Sequence, residues 1–383
     1  MHSLDAYAQD KLASLRQRHL YRALNETLRE DGIWVDRDDR RLLSFSCNDY
    51  LNLTQHPAIK QAAIAAIEEH GAGSGASRLV TGNHPLYARL EARLAEFKRT
   101  EAACVFGSGY LANTGIIPAL IGSDGLVLLD EFSHACIYAG AQLSRGKVKT
   151  FRHNDVGHAR GLLAEHRSQH DRALIVTDGV FSMDGDIAPL DDLLALAEQY
   201  DAWLMSDDAH GIGVVGGGRG SSFSENSHVA VPLQMGTLSK AIGSYGGYLC
   251  ASASVIDLMR NRARTLIYST GLPPASVAAA IAALDLIERE PAYAGLPLAK
   301  AKAFTRRARL PEAQSPIVPI VIGNEEATLS ASRALEEEGF LVVAIRPPTV
   351  PAGTARLRLT FTAQHPDDAI ARLADIVREK LLA

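Results

Sequence analysis

Lys240 occupies a setting in which an ordinary lysine gains little. It follows the apolar run Val231-Pro-Leu-Gln-Met235 and lies inside M-G-T-L-S-K-A-I-G-S-Y-G-G, residues 235–247, among small residues and glycines. Burial disfavours an ammonium and lowers a lysine pKa, by up to ~3–5 units when complete. The free amine is the form that attacks an aldehyde to make a Schiff base. Gly236, Gly243, Gly246 and Gly247 let backbone come close to a bound group, and Thr237 and Ser239 offer hydroxyls of the kind that hold a phosphate. Taken alone, the stretch reads as readily as a surface lysine on a glycine-rich turn.

Upstream, further polar groups follow short apolar runs. Gly107-Ser108-Gly109-Tyr110 opens a helical stretch, where free backbone N–H groups and the helix dipole suit a phosphate. Asp130-Glu-Phe-Ser-His134 places a histidine at a run's end. Asp178-Gly-Val-Phe-Ser182-Met-Asp-Gly and Asp207-Asp208-Ala-His210-Gly do the same for a serine, carboxylates and a second histidine. Each has a dull explanation by itself: His134 a capped turn, Ser182 a loop hydroxyl, Asp207 a helix cap. Their common position is harder to explain away.

That position follows from the elements between them. Apolar runs at Ala102–Phe106, Leu126–Asp130, Lys147–Phe151, Ala173–Thr177 and Trp203–Ser206 alternate with helical stretches such as Asn113–Ile121, His158–His166 and Leu190–Tyr200. Strand, helix, strand at this spacing predicts an α/β fold with a mostly parallel sheet covered by helices on both faces. Ligands bind such sheets beyond the carboxyl ends of the strands. Tyr248–Ser252 reads as an antiparallel or edge strand, Val255–Arg264 as a helix, and Pro273–Glu290 as a long helix linking two domains.

The flanks are smaller. Residues 3–30 read as a helix that wraps something, with Leu12, Leu15, Leu20 and Leu24 near helical spacing. Gly32–Val35 and Arg41–Ser46 read as a hairpin, and Pro57–His70 as a helix with proline in its first turn. Gly71–Gly82, which includes Ser77, is a long glycine-dense loop, and loops of that length are more often functional than not. From about Ser315 a small α+β pattern follows: strand Ile317–Ile322, helix Glu325–Glu338, strands Phe340–Ile345 and Arg356–Phe361, helix Pro366–Leu382. Between its strands, Arg346-Pro-Pro-Thr349 could aim Arg346 and Thr349 at a ligand. The expected division is residues 1–45 as N-terminal helix and hairpin, 46–290 as the large domain and 291–383 as the small one.

Composition narrows the function classes. The 383 residues are 47% hydrophobic and 22% charged, with a net charge of −5, which offers no electrostatic footprint for nucleic acid or an anionic membrane. Cys47, Cys104, Cys136 and Cys250 are far apart and suit a reducing compartment. No signal-like or membrane-spanning run is present, so a cytoplasmic protein is expected. Gly211-Ile-Gly213-Val-Val-Gly216 matches a dinucleotide-binding pattern literally, but the glycine-rich Gly216–Gly220 that follows cannot make the helix such a site needs. Asp207, Asp208 and His210 could ligate a metal, yet no second histidine sits at ligand spacing and Lys240 would have no role, so no metal is expected.

With these residues assembled, the chain resembles the fold-type I pyridoxal phosphate enzymes, and within them the α-oxoamine synthases. The resemblance rests on S-H-A at Ser133–Ala135, D-G-V-F-S-M-D-G-D at Asp178–Asp186, D-D-A-H-G at Asp207–Gly211 and T-L-S-K at Thr237–Lys240, and spans Asn48 to the C-terminus. One departure is Asp178, where the family pattern has glutamate. The stretch Ala344–Thr360 is most similar to members that join L-alanine to a pimeloyl thioester, on CoA or a carrier protein. A glycine-dependent member is the alternative; a metal-dependent hydrolase built on Asp207, Asp208 and His210 is more remote.

The resemblance implies roles. Lys240 would hold pyridoxal 5'-phosphate and then remove the amino acid's Cα proton. Asp207 would pair with the pyridinium nitrogen and His134 would stack on the ring. His210 and Ser182 would bond the ring oxygen or its surroundings, and Gly109, Tyr110 and Thr237 the phosphate region. Arg22, Ser77, His134, Arg346 and Thr349 would contact substrate. A homodimer with the site at its interface is implied, with Ser269 and Thr270 near the phosphate held by a second copy.

Overall fold

Alternating apolar and charged residues around a tight turn begin the folded body. The computed structural model describes every residue except Met1, His19, Asp31, Glu225, Asn226 and Ala383. Strands β2 (Trp34–Arg37) and β3 (Arg40–Ser44) form the expected hairpin, with Trp34 opposite Leu43 and Arg37 opposite Arg40, and β1 (Leu28–Glu30) adds an antiparallel strand. The helix expected over residues 3–30 is shorter. It spans Ser3–Gln17, none of its residues is buried, and Leu4, Tyr7, Leu12 and Leu15 remain exposed. Its apolar positions are too sparse to make a continuous stripe, and among the described residues it lies exposed along its length.

The near-continuous apolar runs form one seven-stranded sheet. Its strands are β4 (Ala102–Phe106), β5 (Gly125–Asp130), β6 (Lys147–Phe151), β7 (Arg172–Asp178), β8 (Trp203–Asp207), β9 (Leu233–Thr237) and β10 (Gly247–Ala251), in the order β4-β10-β9-β8-β7-β5-β6. Pairings from β6 through β9 are parallel, and β10 runs antiparallel to both β4 and β9. It is antiparallel but interior, which is why Tyr248, Leu249 and Cys250 are fully buried rather than alternating. Leu128, Ile175 and Leu204 pack on one face against Leu193 and Leu196 of the helix Leu190–Gln199. Val127, Val176 and Met205 pack on the other against Ile116 and Ile137. Each such side chain contributes roughly 1.5–3 kcal/mol by leaving water.

The connecting helices differ from expectation in three places. The helix expected over Val255–Arg264 breaks at Ala263 into Ala253–Arg262 and Arg264–Ile267. Pro274–Arg289 is followed at once by a second helix, Pro291–Ala308, that the sequence reading left unassigned; Pro291 in its first turn starts it without needing a donor. Pro274–Arg289 lies against Pro57–His70 inside the main core rather than bridging a gap.

The C-terminal segment carries β11 (Ile317–Gly323), β12 (Phe340–Leu341), β13 (Ala344–Ile345) and β14 (Ala355–Thr360). A single strand was expected over Phe340–Ile345. Instead β12 pairs in parallel with β3, while β13 pairs with β14 in the sheet β11-β14-β13. Phe45, Phe340 and Phe361 meet edge-on where the two sheets join, with centroids 5.8 and 5.5 Å from Phe45. Among the described residues no helix is long and apolar enough to cross a membrane.

Candidate active site

The carboxyl ends of β7, β8 and β9 finish in Asp178, Asp207 and Thr237, and Lys240 follows β9 in the next turn. Together with the N-terminus of the helix Gly109–Leu120 and the start of Ala135–Ser144 they enclose a cavity of about 210 Å³. Gly109, Tyr110, His134, Asp207, His210, Thr237 and Lys240 all line it. A parallel sheet has this arrangement built in, because every crossover returns the chain to the same edge.

Lys240 reaches the centre of the group. Its Nζ stands 2.8 Å from His210 Nε2, and His210 Nδ1 stands 2.7 Å from the Tyr50 hydroxyl. Burial, helped by the Arg358 guanidinium and opposed by Asp207, brings the Lys240 amine down to about 8. Burial and the neighbouring Lys240 hold His210 well below the usual histidine range, so its imidazole is neutral. Arg358 donates to Asn48 Oδ1 at 3.1 Å and to the Tyr50 hydroxyl at 3.4 Å, which fixes the far side of this chain of contacts.

Asp207 is held from two sides. Asn113 Nδ2 donates to its Oδ2 at 2.7 Å and the Ala209 N–H to its Oδ1 at 3.0 Å. Asp178, the departure from the family pattern, is also buried; its Oδ2 accepts the His134 backbone N–H at 2.9 Å and so anchors the loop that carries His134. Burial, then the nearby Asp207, raises the Asp178 carboxyl well above its ordinary range. His134 stands exposed at the cavity wall, with burial of the ring's inner side lowering its pKa.

At the opposite wall the Ser108 hydroxyl caps the helix by accepting from the Leu111 N–H at 3.1 Å. The first-turn N–H groups of Gly109 and Tyr110 face outward, where an anion is stabilised. A side chain at Gly247 would come within 2.5 Å of the Ser108 carbonyl, and one at Gly109 within 3.3 Å of Thr237 Cβ. Both glycines therefore let the helix start, the strand end and the Thr237 hydroxyl crowd around one small volume.

Five residues expected at the site are placed elsewhere on this chain. Arg22, Arg346 and Thr349 line a separate cleft of about 480 Å³, where Arg22 donates to the Thr349 hydroxyl at 3.1 Å. Ser77 forms a bridge with Thr270. Ser182 offers its carbonyl to Arg358, and its hydroxyl does not line the Lys240 cavity, because the chain turns away after β7. Asp208 also turns from its neighbours in sequence: its Oδ2 pairs with buried Lys98 at 2.8 Å and its Oδ1 accepts the Ser221 N–H, so it does not join Asp207 and His210 in the cavity lining. Residues 211–215 form a run of turns and bends that leads into a three-residue 3-10 turn, Gly216–Gly218, not into an α-helix.

The sequence reading missed Tyr50, Asn113, Cys136 and Arg358. Asn113, buried inside an apolar helical stretch, was the one with a readable signal, since a buried amide needs a partner. Arg358 sits in R-L-R-L within β14, an alternation that by itself does not say which face is buried; the structure buries it against Asn48 and Tyr50.

The donor set fits pyridoxal phosphate. An amine brought down to about 8 suits its aldehyde, a doubly anchored carboxylate its ring nitrogen, a flat imidazole its ring face, and a helix N-terminus with the Thr237 hydroxyl its phosphate.

The family described as aminotransferase class I and II matches residues 40–377. The chain is 62% identical over 377 residues to the 8-amino-7-oxononanoate synthase of Beijerinckia indica, covering 98% of each. It is 68% identical over 343 residues to that of Methylocella silvestris, covering 90% of this chain and 98% of the relative. Among solved structures, a serine palmitoyltransferase from S. paucimobilis with a bound PLP–myriocin aldimine superposes with a TM-score of 0.90 at 27% identity, over 99% of this chain and 98% of the other. The 8-amino-7-oxononanoate synthase of Francisella tularensis superposes with a TM-score of 0.75 at 26% identity, over 89% and 98%.

Proposed function

The chain belongs to the aminotransferase class I and II family, and from that footing we infer that it condenses L-alanine with a pimeloyl thioester, releasing CO2 and the thiol and forming 8-amino-7-oxononanoate for biotin synthesis. Its cofactor is pyridoxal 5'-phosphate. The observation that carries the chemistry is Lys240, an amine brought down to about 8 and set in one cavity with Asp207, His210 and His134.

The bound cofactor supplies an aldehyde for amine capture and a ring that accepts the electron pair left at the substrate Cα. Lys240 would contribute its unprotonated amine to that capture and stands where it could take the Cα proton. Asp207, held between Asn113 and the Ala209 N–H, would pair with the ring nitrogen. His210 keeps a neutral ring nitrogen against Lys240 Nζ, so the amine has a hydrogen-bond partner without a competing positive charge. His134 would cover one face of the ring. The first-turn N–H groups of Gly109 and Tyr110, with Thr237, would hold the phosphate.

Arg22, Arg346 and Thr349 form a cationic cleft that suits a substrate carboxylate. A homodimer in the cytoplasm completes the reading. Exposed Leu79, Val80 and Tyr268 beside the Ser77–Thr270 bridge, and the uncovered helix Ser3–Gln17, supply apolar area for a second copy to cover.

A thiol-release assay tests the reading, pairing alanine, glycine and serine with pimeloyl-CoA, pimeloyl carrier protein and acetyl-CoA. Alanine with a pimeloyl donor is expected to release thiol fastest. Preference for glycine with acetyl-CoA would transfer the chain to a glycine-dependent member of the family.

A further inference from the structure

The mechanism above leaves unused a thiol in the wall of the cavity. Cys136 lies at the start of the helix Ala135–Ser144 and is buried. Its Sγ stands 2.8 Å from His134 Nδ1 and 3.1 Å from Asn113 Nδ2, and the same Asn113 amide donates to Asp207 Oδ2 at 2.7 Å. His134, Cys136, Asn113 and Asp207 thus make one continuous polar line.

One contact sets the direction of the whole line. The Cys136 backbone N–H reaches His134 Nδ1 at 3.2 Å, and a backbone N–H only donates. His134 Nδ1 is therefore an acceptor and carries no proton. The thiol beside it is then a donor too, with its sulfur lone pairs left to accept from Asn113. Burial pushes the Cys136 thiol up to about 12, so that S–H persists across the working pH range. At the other end a carboxylate only accepts, which turns the amide nitrogen of Asn113 toward Asp207. Asn113 Oδ1 is buried without a protein partner. A packing residue would avoid that orphan; a residue needed for its two donated hydrogen bonds tolerates it.

We propose that Cys136 is a positioning residue: it locks His134 as the neutral Nε2–H tautomer and ties the ring's orientation to Asp207 through Asn113. The proposal rests on the reading that His134 faces the cofactor ring. A charged imidazole at 134 would carry a proton on Nδ1, pointed at two donors, and would break the helix cap. The charged groups acting on the ring oppose one another, Asp207 favouring the proton and Lys240 disfavouring it, while Asp178 holds the backbone beneath. The S–H contact therefore decides how firmly the neutral form is kept.

The test is a long-range 1H–15N spectrum of the full chain labelled at histidine, recorded without cofactor across pH, for the natural protein, Cys136→Ser and Cys136→Ala. The natural protein and Cys136→Ser should show His134 protonated on Nε2 alone, with no titration near neutrality. Cys136→Ala keeps the backbone donor on Nδ1 but loses the S–H, so its His134 titration should move upward. With cofactor added, Cys136→Ala should lose roughly tenfold in kcat, the factor carried by one hydrogen bond, gain a new limb in its pH profile, and be rescued by Ser. Identical titration in all three proteins, or equal damage from Ser and Ala, overturns the proposal. Because the spectrum needs no cofactor, a failure of the cofactor reading itself would appear separately, as natural protein that takes up no pyridoxal phosphate.

Discussion

Asp178 and Asp207 stand opposite one another in register on the adjacent parallel strands β7 and β8. Two buried carboxyls at one sheet edge cannot ionise independently. Asp207 is the one with two donors at its oxygens, and Asp178 is the one pushed upward, first by burial and then by Asp207. The protein therefore holds one carboxylate for chemistry and one carboxyl as a brace for the His134 loop. Asp178→Asn keeps the acceptor for the His134 N–H and is expected to leave kcat within about threefold. Asp178→Ala strands that N–H and should cost roughly 1–3 kcal/mol in urea unfolding. Equal loss from both substitutions would show that Asp178 works through its charge instead.

The Lys240 amine predicts a pH dependence. With its pKa lowered to about 8, the uncharged fraction rises about tenfold between pH 7 and 9. The rate at which cofactor-free protein takes up pyridoxal phosphate, followed by visible absorbance, should climb over the same interval. Lys240→Ala should develop no such absorbance. A flat profile for the natural protein would mean that the amine is not the titrating group.

A second titration concerns stability rather than capture. His153 lies between Asp130, 3.1 Å from Nδ1, and Asp186, 2.7 Å from Nε2. Burial works against its charge, but the two carboxylates outweigh burial and raise it to about 10. A raised folded pKa means that the contribution is complete below the unfolded value near 6.5 and is lost as pH rises through about 10. The unfolding free energy from urea titrations should therefore fall over that window by on the order of 1–3 kcal/mol, allowing for screening. His153→Gln should flatten the decline; an unchanged slope would remove His153 as its cause.

The buried pair Lys98–Asp208 makes the largest structural prediction. Lys98 Nζ also donates to the Arg219 carbonyl, so the pair ties the helix Leu86–Lys98 to the loop after β8. Lys98→Met leaves Asp208 buried and uncompensated, which costs roughly 3–5 kcal/mol. Adding Asp208→Asn should recover part of the loss in a double-mutant cycle measured by denaturant unfolding. Full additivity would mean that the two side chains do not interact.

The central sheet was legible because its signals are local. Ala102–Phe106 was read to the residue, since a strand buried on both faces is a short apolar run bounded by polar residues, and Lys147–Phe151, a partly exposed edge strand, was placed by its spacing between helical stretches. Phe340–Ile345 was misread for the same reason: one apolar run carried no mark of the split that sends Phe340–Leu341 to β3 and Ala344–Ile345 to β14. Arg358 was passed over because the pattern of β14 does not say which face turns inward.

By itself, then, the sequence determined that Asp207, Thr237 and Lys240 gather at one edge of a parallel sheet, because strand ends and crossovers are written in neighbouring residues. Only the tertiary structure decided what surrounds them. Tyr50 meets His210 across 160 positions, and Asn113 meets Asp207 across 94. Such contacts depend on how separate helices and strands pack, and local residue preferences carry no record of that packing.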